Sequence, residues 1–269
     1  MAEQTAAFDL ALRFDAAEAR KVERLYLTPD VIEQRARVLA LLQLRPGERV
    51  ADLGCGPGLL AQSMAQAVGP RGVVQCIDNS EPMVSLAQRR CAGFPFVHIE
   101  PGDVTKLKFP DASLDAAVCM QVYEYVANLE QALKEMHRVL QPGARALIVD
   151  TDWESAVWAN SDRERMRKVM DAWDLHCAHP QLPRSLAEQL RRAGLEVERI
   201  EVVSIVNAQL DANTYSHGMI GTIAKYASTR GGIDRDVASA WADDLRVRTA
   251  PGEYFFSLNR YVFLARRLR

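Results

Sequence analysis

Short apolar, β-branched runs alternate with amphipathic stretches along most of the chain. Arg49–Leu53 (RVADL) reads as a first strand, and Gly72–Ile77, Phe96–Glu100, Leu114–Met120 and Ala144–Asp150 as the next four. Helical patterns fill the gaps. Leu59–Val68 predicts a helix that stops at Gly69, Ser80 opens one with Pro82 in its first turn running to about Cys91, and Asn128–Leu140 predicts a third, stopped by Pro142-Gly143. Upstream, Thr28 as N-cap, Pro29 at the first helical position and apolar Ile32, Ala36, Leu39 and Leu42 predict a helix ended by Leu44-Arg45-Pro46-Gly47. Strand–helix alternation of this kind builds βαβ units and a parallel sheet.

After Asp150 the rhythm loosens. Asp162–Cys177 is patterned as an amphipathic helix ending in His176, where a cation favours a helix C-terminus, with His179 just beyond. Ser185–Ala193 is helical with Gly194 as its stop, and Glu196–Val206 is a strand. A mostly helical excursion of about 45 residues follows, a length that usually marks a functional segment. Tyr254–Ala265 closes the pattern as an edge or near-edge strand with a mostly buried face. The expected organisation is a helical cap over 1–44, a core over 45–207, a lid insertion over 208–253 and a last core strand in 254–269.

Composition narrows the class. With 269 residues, 48% hydrophobic and 25% charged, the chain suits one large α/β domain with an appendage. Thirty-three Lys+Arg against 35 Asp+Glu leave a net charge of −2, which draws in neither nucleic acid nor an anionic membrane. Arg163, Arg165, Arg167 and Lys168 read as a solvated helix face, and Arg266, Arg267 and Arg269 as a solvated tail. Five cysteines without CxxC spacing are expected to be reduced packing residues in a cytoplasmic protein. No apolar run reaches the ~18–20 residues of a membrane span, and acidic Glu3, Asp9 and Asp15 speak against a leader peptide. No acid–histidine cluster at ligand spacing predicts a metal.

The sharpest chemical feature is Asp52-Leu53-Gly54-Cys55-Gly56-Pro57-Gly58, leaving the first strand and entering a helix. Glycines at alternate positions let the backbone turn tightly and approach a ligand. Asp78 closes the second strand, where a carboxylate can accept both hydroxyls of a ribose, and Asp103 follows the third, able to accept from an exocyclic amine. A dinucleotide fingerprint wants a third glycine where Leu59 stands, and a P-loop wants Gly-Lys-Ser/Thr, which is absent. No Lys or Arg lies between Asp52 and Gly69 to answer a pyrophosphate, whereas Asp52 suits a ligand with a cationic end. A nucleotide-dependent oxidoreductase and a non-catalytic cofactor-binding protein stay open as alternatives to a transferase.

DLGCGPG, Asp78 in IDNSEPM, Asp103 in PGDV and FPDASLDAAVCMQVYEYV together resemble the class I S-adenosylmethionine-dependent methyltransferases, in particular the group containing the ubiquinone and menaquinone C-methyltransferases. The resemblance covers roughly residues 28–150. It implies a Rossmann-like α/β fold with a seven-stranded, mostly parallel sheet, helices on both faces, a helical cap, and strand seven antiparallel between strands five and six. It implies S-adenosylmethionine as cofactor, with Gly54, Gly56 and Gly58 at the methionine moiety, Asp78 at the ribose and Asp103 at the adenine amine. Asn79, Met83 and Val104 would line the adenine slot and Gln121 would sit near the reacting end; Arg35 is a weaker contact.

The implied partner is a small-molecule methyl acceptor, in a monomer or homodimer. Acceptor residues are expected at strand ends, among Tyr123, Glu124, Tyr125, Thr151, Asp152 and Trp153, and in the excursion with Tyr215, His217, Met219 and Tyr226. Cys119-Met120-Gln121-Val122-Tyr123 departs from the Asn-Pro-Pro-aromatic signature of relatives that methylate amide or base nitrogens. Where a general base is needed, His217 in Tyr215-Ser216-His217-Gly218 is the expected one, with Tyr215 beside it.

Overall fold

A computed structural model describes residues 15–268; Glu3, Asp9 and Arg269 lie outside the described residues. The chain runs α1 (Ala16–Tyr26), α2 (Pro29–Leu42), β1 (Arg49–Leu53), α3 (Leu59–Val68), β2 (Val73–Asp78), α4 (Glu81–Cys91), β3 (Val97–Pro101) and β4 (Leu114–Met120). It continues with α5 (Leu129–Val139), β5 (Leu140–Thr151), β6 (Val157–Trp158), α6 (Arg163–Asp174), α7 (Pro183–Arg192), β7 (Leu195–Asn207), α8 (Tyr215–Thr229), α9 (Arg235–Arg246) and β8 (Phe256–Arg267).

The sheet order is β3-β2-β1-β4-β5-β8, with β7 along the far side of β8. Strands β1 to β5 are mutually parallel, and β8 is antiparallel to β5 and β7. This is the Rossmann-like arrangement of the resemblance, with the C-terminal strand between the fifth strand and the sixth long one. The two-residue β6, paired with Ser257 and Phe256 of β8, makes an eighth strand beyond the seven expected. Because the chain moves outward from β1 through β2 and β3 and then returns to place β4 on the other side of β1, a crevice opens at the carboxyl ends of β1 and β4.

Sequence periodicity fixes which face each helix buries. α5 buries Leu129, Ala132, Leu133, Met136 and Val139, three and four residues apart, after the Asn128 side chain accepts from Gln131 N at 3.2 Å. It covers one sheet face together with α7, around Ala117, Ile148 and Phe263. α2, α3 and α4 cover the other, where Val38, Leu42, Met64 and Ala87 pack on Val50, Val118 and Val262. A third cluster lies beyond the strand ends: α6, α8 and α9 bury Val169, Trp173, Ile220, Ile223 and Trp241 against Trp158, Phe256 and Leu258. No helix of the described residues is long and apolar enough to cross a membrane.

Several expectations need correction. The lid over 208–253 does not stand alone: α6, assigned to the 45–207 core, shares its apolar cluster. α2, assigned to the 1–44 cap, bridges both: Val38 and Leu42 pack on the sheet face, while Val31 joins the cap cluster. Pro142-Gly143 does not stop a helix before a strand; it lies inside β5, where the register jumps from Leu114↔Leu140 to Ala116↔Arg145 and the bulge absorbs the proline. β8 lies one strand in from the β7 edge, the near-edge position expected of it, but its end is not a solvated tail. Arg266 pairs with Glu198 and donates to Gly143 O at 3.1 Å, while Arg267 donates to the carbonyls of Arg138 and Leu140.

Candidate functional site

The turn from β1 to α3 is built on left-handed backbone: Gly54, Gly56 and Gly58 have φ of 81°, 52° and 77°. Gly54 N and Cys55 N both donate to Ile77 O, at 2.8 and 2.9 Å, which folds the turn over the end of β2. The three glycines then do different things. A Cβ on Gly54 would meet Val122 Cγ2 at 2.3 Å, and one on Gly58 would meet Ala87 Cα at 2.8 Å. A Cβ on Gly56 would meet nothing within 4 Å among the described residues. The outer two let the turn pack on its own chain; the middle one is where the backbone faces outward.

The acids expected around this turn converge on it unequally. Asp78 Oδ2 accepts from Gly56 N at 2.8 Å and Oδ1 from Ser80 N at 2.9 Å, so the end of β2 holds the turn directly. Burial raises the Asp78 carboxyl above its usual range, against the opposing effect of those two amides. Asp52 is 2% exposed, and its Oδ2 has no partner among the described residues. Burial first, and the nearby Asp78 charge second, push its carboxyl up to about 7. Asp103 is exposed and caps its own turn, Oδ1 accepting from Thr105 N and Oγ1 at 2.7 and 2.8 Å. Met83 and Val104 are buried beside this end of the sheet, whereas Asn79 is exposed.

Gln121 directly follows β4 in a left-handed conformation, φ 57°. Its N–H donates to Val149 O at 2.7 Å, and its Oε1 accepts from Thr151 Oγ1 at 2.6 Å, which fixes the side chain across to β5. The N-terminal helix is latched to the glycine turn by Arg90. Its Nε donates to Pro57 O at 2.8 Å, and its guanidinium pairs with Glu23 of α1. Arg35 donates to Tyr26 O at 3.0 Å, so it anchors the α1–α2 joint.

On the other side of the crevice the structure separates Tyr215 from His217. Tyr215 is buried on α8, its ring 4.8 Å from the Arg260 guanidinium, and its backbone N–H donates to Asp30 Oδ2 of α2 at 2.9 Å. His217 is exposed, because residues two apart on a helix point to opposite sides. The structure therefore does not bring it to the buried polar groups. His176 is likewise no helix-end cation. It stacks on Trp173 at 3.6 Å between ring centroids, and burial depresses it to about 3, leaving it neutral.

What gathers at the strand ends is Glu124, Asp150 and Arg260, all essentially buried. Glu124 Oε2 accepts from Trp153 Nε1 at 3.1 Å, and burial raises the carboxyl to about 7 although Arg260 opposes the shift. Asp150 is driven well above its usual range by burial and by the Glu124 charge. Sequence reading missed Asp150 and Arg260 as site residues. The available signal was a charge embedded in an apolar strand, Asp150 closing ALIVD and Arg260 inside SLNRYVFL. No group of three or more His, Cys, Asp or Glu able to hold a metal occurs among the described residues.

A family model described as a methyltransferase domain matches residues 51–148. A 37.1 kDa protein in transposon TN4556 of Streptomyces fradiae is 32% identical over 249 residues, which is 92% of this chain and 71% of that protein. The 2-phytyl-1,4-naphtoquinone methyltransferase of Synechococcus elongatus is 39% identical over 109 residues, 39% of this chain and 47% of that one. A demethylmenaquinone methyltransferase of Staphylococcus aureus is 35% identical over 117 residues, 44% of this chain and 48% of that one. The matched stretches span about half the length of these two quinone enzymes.

Solved structures carry the likeness further along the chain. Phospholethanolamine N-methyltransferase 2 of Haemonchus contortus, in complex with phosphomonomethylethanolamine and S-adenosylhomocysteine, has a TM-score of 0.63 at 16% identity, covering 97% of this chain and 59% of that one. Geranyl diphosphate C-methyltransferase of Streptomyces coelicolor, with S-adenosylhomocysteine, has a TM-score of 0.56 at 14% identity, covering 88% and 79%. At such identities the likeness is one of fold.

Proposed function

The chain belongs to the class I S-adenosylmethionine-dependent methyltransferases, and from that premise we propose that it transfers the methyl group to oxygen, nitrogen or carbon of a small-molecule metabolite. The observation that carries the cofactor site is the outward-facing Gly56, tied through its N–H to Asp78 with the unpartnered Asp52 Oδ2 alongside. The donor and acceptor set fits the cofactor. In this reading the turn at Gly54, Gly56 and Gly58 receives the methionine end and Asp52 faces its ammonium. Asp78 has lone pairs left for the ribose hydroxyls, and Asp103 Oδ2 for the adenine amine, with Met83, Val104 and Asn79 around the base. Gln121, held to β5, borders the reacting end.

When bound, the cofactor supplies a methyl group activated on a sulfonium, which leaves as a neutral thioether. The protein's share is alignment and exclusion of water. α1 and α8 supply the cover: Tyr26 and Tyr215 pack into the apolar cluster with Phe256 and Leu258, and the Glu23–Arg90–Pro57 chain ties that cover to the glycine turn. The quinone methyltransferases among the relatives support a small acceptor. Incubation with radiolabelled S-adenosylmethionine and small-molecule extract fractions tests the reading. Label should enter a low-mass product with the wild type and fall at least tenfold with Asp78→Ala at limiting cofactor. Label confined to macromolecules, or unaffected by Asp78→Ala, would refute it.

A further inference from the structure

The two edges of the sheet are finished differently. β3, at one end, is five residues long, exposes His98 and Glu100 and closes on Pro101. A short, charged strand that ends on proline invites no further strand. β7, at the other end, is thirteen residues long and pairs only with β8. Its first half is guarded: Glu196, Glu198, Arg199 and Glu201 put charge along it, and the register jumps between Val197 and Arg199. Its second half is not. Val202-Val203-Ser204-Ile205-Val206-Asn207 carries no charge, proline or glycine. Among the described residues no backbone hydrogen bond joins it to any segment but β8.

One face of this stretch is also bare. Val203 and Ile205 are buried, on the side that α2 and the cap helices cover. On the other side Ile200, Val202 and Val206 are 50%, 44% and 54% exposed. α7 packs on that side around Leu195 and Val197, and its cluster does not reach them. Val157 of β6, half exposed, continues the strip, because Val157 and Val206 are both register partners of Ser257. An apolar strip beside an open strand edge is the arrangement that takes up another strand.

We propose that this half of β7 pairs with the same stretch of a second copy of the chain, antiparallel and about a twofold axis through Val203, joining two sheets into one. The register argues for a second copy over a foreign peptide. The regular part of β7, from Arg199 after the bulge to Asn207, is nine residues centred on Val203. Self-pairing about that point uses all of it. On the bare face Ile200 then stands beside Val206 of the second copy, and Val202 beside Ser204. On the covered face Glu201 meets Ile205 and Arg199 meets Asn207, so no like charges face each other. An axis at Glu201 would set that carboxylate against itself. One at Val202 would carry the ladder into the bulge, and one at Ser204 would leave Arg199 and Ile200 past the end of the facing strand. The ladder ends on Asn207, whose side chain donates to Asp30 Oδ2 at 3.0 Å and accepts from Ser216 N at 3.2 Å. The same pairing therefore braces the start of α8 in each copy.

Sedimentation velocity on the full chain between about 1 and 100 μM tests the pairing. The wild type should pass from monomer to dimer across that range. Val206→Lys and Ile200→Glu, both at exposed positions, should each weaken the dimer about tenfold or more. Each should leave S-adenosylhomocysteine affinity within about twofold, as surface substitutions do. The two substitutions combined in one chain should restore the dimer. The introduced ammonium then faces the introduced carboxylate of the other copy, whereas within one strand the two positions lie about 20 Å apart. A wild type that stays monomeric would overturn the proposal and leave the edge to a peptide of another protein. A dimer indifferent to both single substitutions would overturn it too. So would a dimer lost in each single variant and not restored in the combined one, which would mark a face-to-face contact of the apolar strips.

Discussion

Replacing Gly56 with alanine separates the cofactor cradle from the fold that carries it. Gly56 sits at φ 52°, where an L-residue costs about 1–2 kcal/mol. Its new Cβ would meet no protein atom within 4 Å, so the penalty stops there. In a chain of this size each kcal/mol lowers the melting temperature by roughly 2–4 °C, which gives a fall of about 2–8 °C. Gly54→Ala has the same backbone cost at φ 81° and adds a Cβ 2.3 Å from Val122 Cγ2. Overpacking of that kind costs about 1–3 kcal/mol more, and Val122→Ala in the same chain should recover that part.

The binding effects should run the other way. The added methyl of Gly56→Ala points where the methionine end is received, so S-adenosylhomocysteine affinity should fall at least tenfold, about 1.4 kcal/mol. Thermal unfolding by circular dichroism and calorimetric titration measure the two quantities on the same preparation. Wild-type affinity in Gly56→Ala, or a melting temperature as low as that of Gly54→Ala, would show that Gly56 does not face the cofactor.

Asp52 makes the stability pH-dependent. Its folded carboxyl stands at about 7 against 3.8 unfolded, so between roughly pH 4 and 7 the folded state binds more protons than the unfolded one. Stability should therefore fall across that window, by up to ~4 kcal/mol from this group, and level off above it. Asp52→Asn should flatten the slope in urea titrations; an unchanged slope would place the origin elsewhere. The same ionisation favours a bound ammonium, so S-adenosylhomocysteine affinity should rise through about pH 7 in the wild type and not in Asp52→Asn. The exposure of His217 carries its own test: His217→Ala, on the exposed side of α8, should leave the turnover rate within about twofold. A loss of ~100-fold or more would return the role of general base to His217.

The first half of the sheet was legible because its strands are short, mostly apolar runs separated by helical patterns. β1, α3 and β4 have the boundaries their sequences predict, and the acids at the ends of β1, β2 and β3 follow from the topology. β5 was misread because Pro142-Gly143 normally ends an element, and only a bulge stabilised by Arg266 from the far end of the chain keeps it in the strand. Arg260 was hidden for a related reason. Its neighbours look like a two-sided strand at an edge, and its interior position depends on β7 pairing from Leu195 to Asn207. Helical periodicity could have told Tyr215 from His217, since they lie on opposite sides of α8, but which side faces the crevice is set by α1, through Leu25 against Gly218. The union of α6 with α8 and α9 has no local signal at all; it comes from Trp173 of α6 against Tyr226 of α8 and Trp241 of α9 against Met166 of α6.

Calorimetric titration of the wild-type protein with S-adenosylhomocysteine and, separately, with NAD addresses the central claim most directly. One S-adenosylhomocysteine should bind saturably per chain, with no heat from NAD, because the glycine turn offers Asp52 and Asp78 but no cation between Asp52 and Gly69 for a pyrophosphate. Binding of NAD without S-adenosylhomocysteine would contradict it.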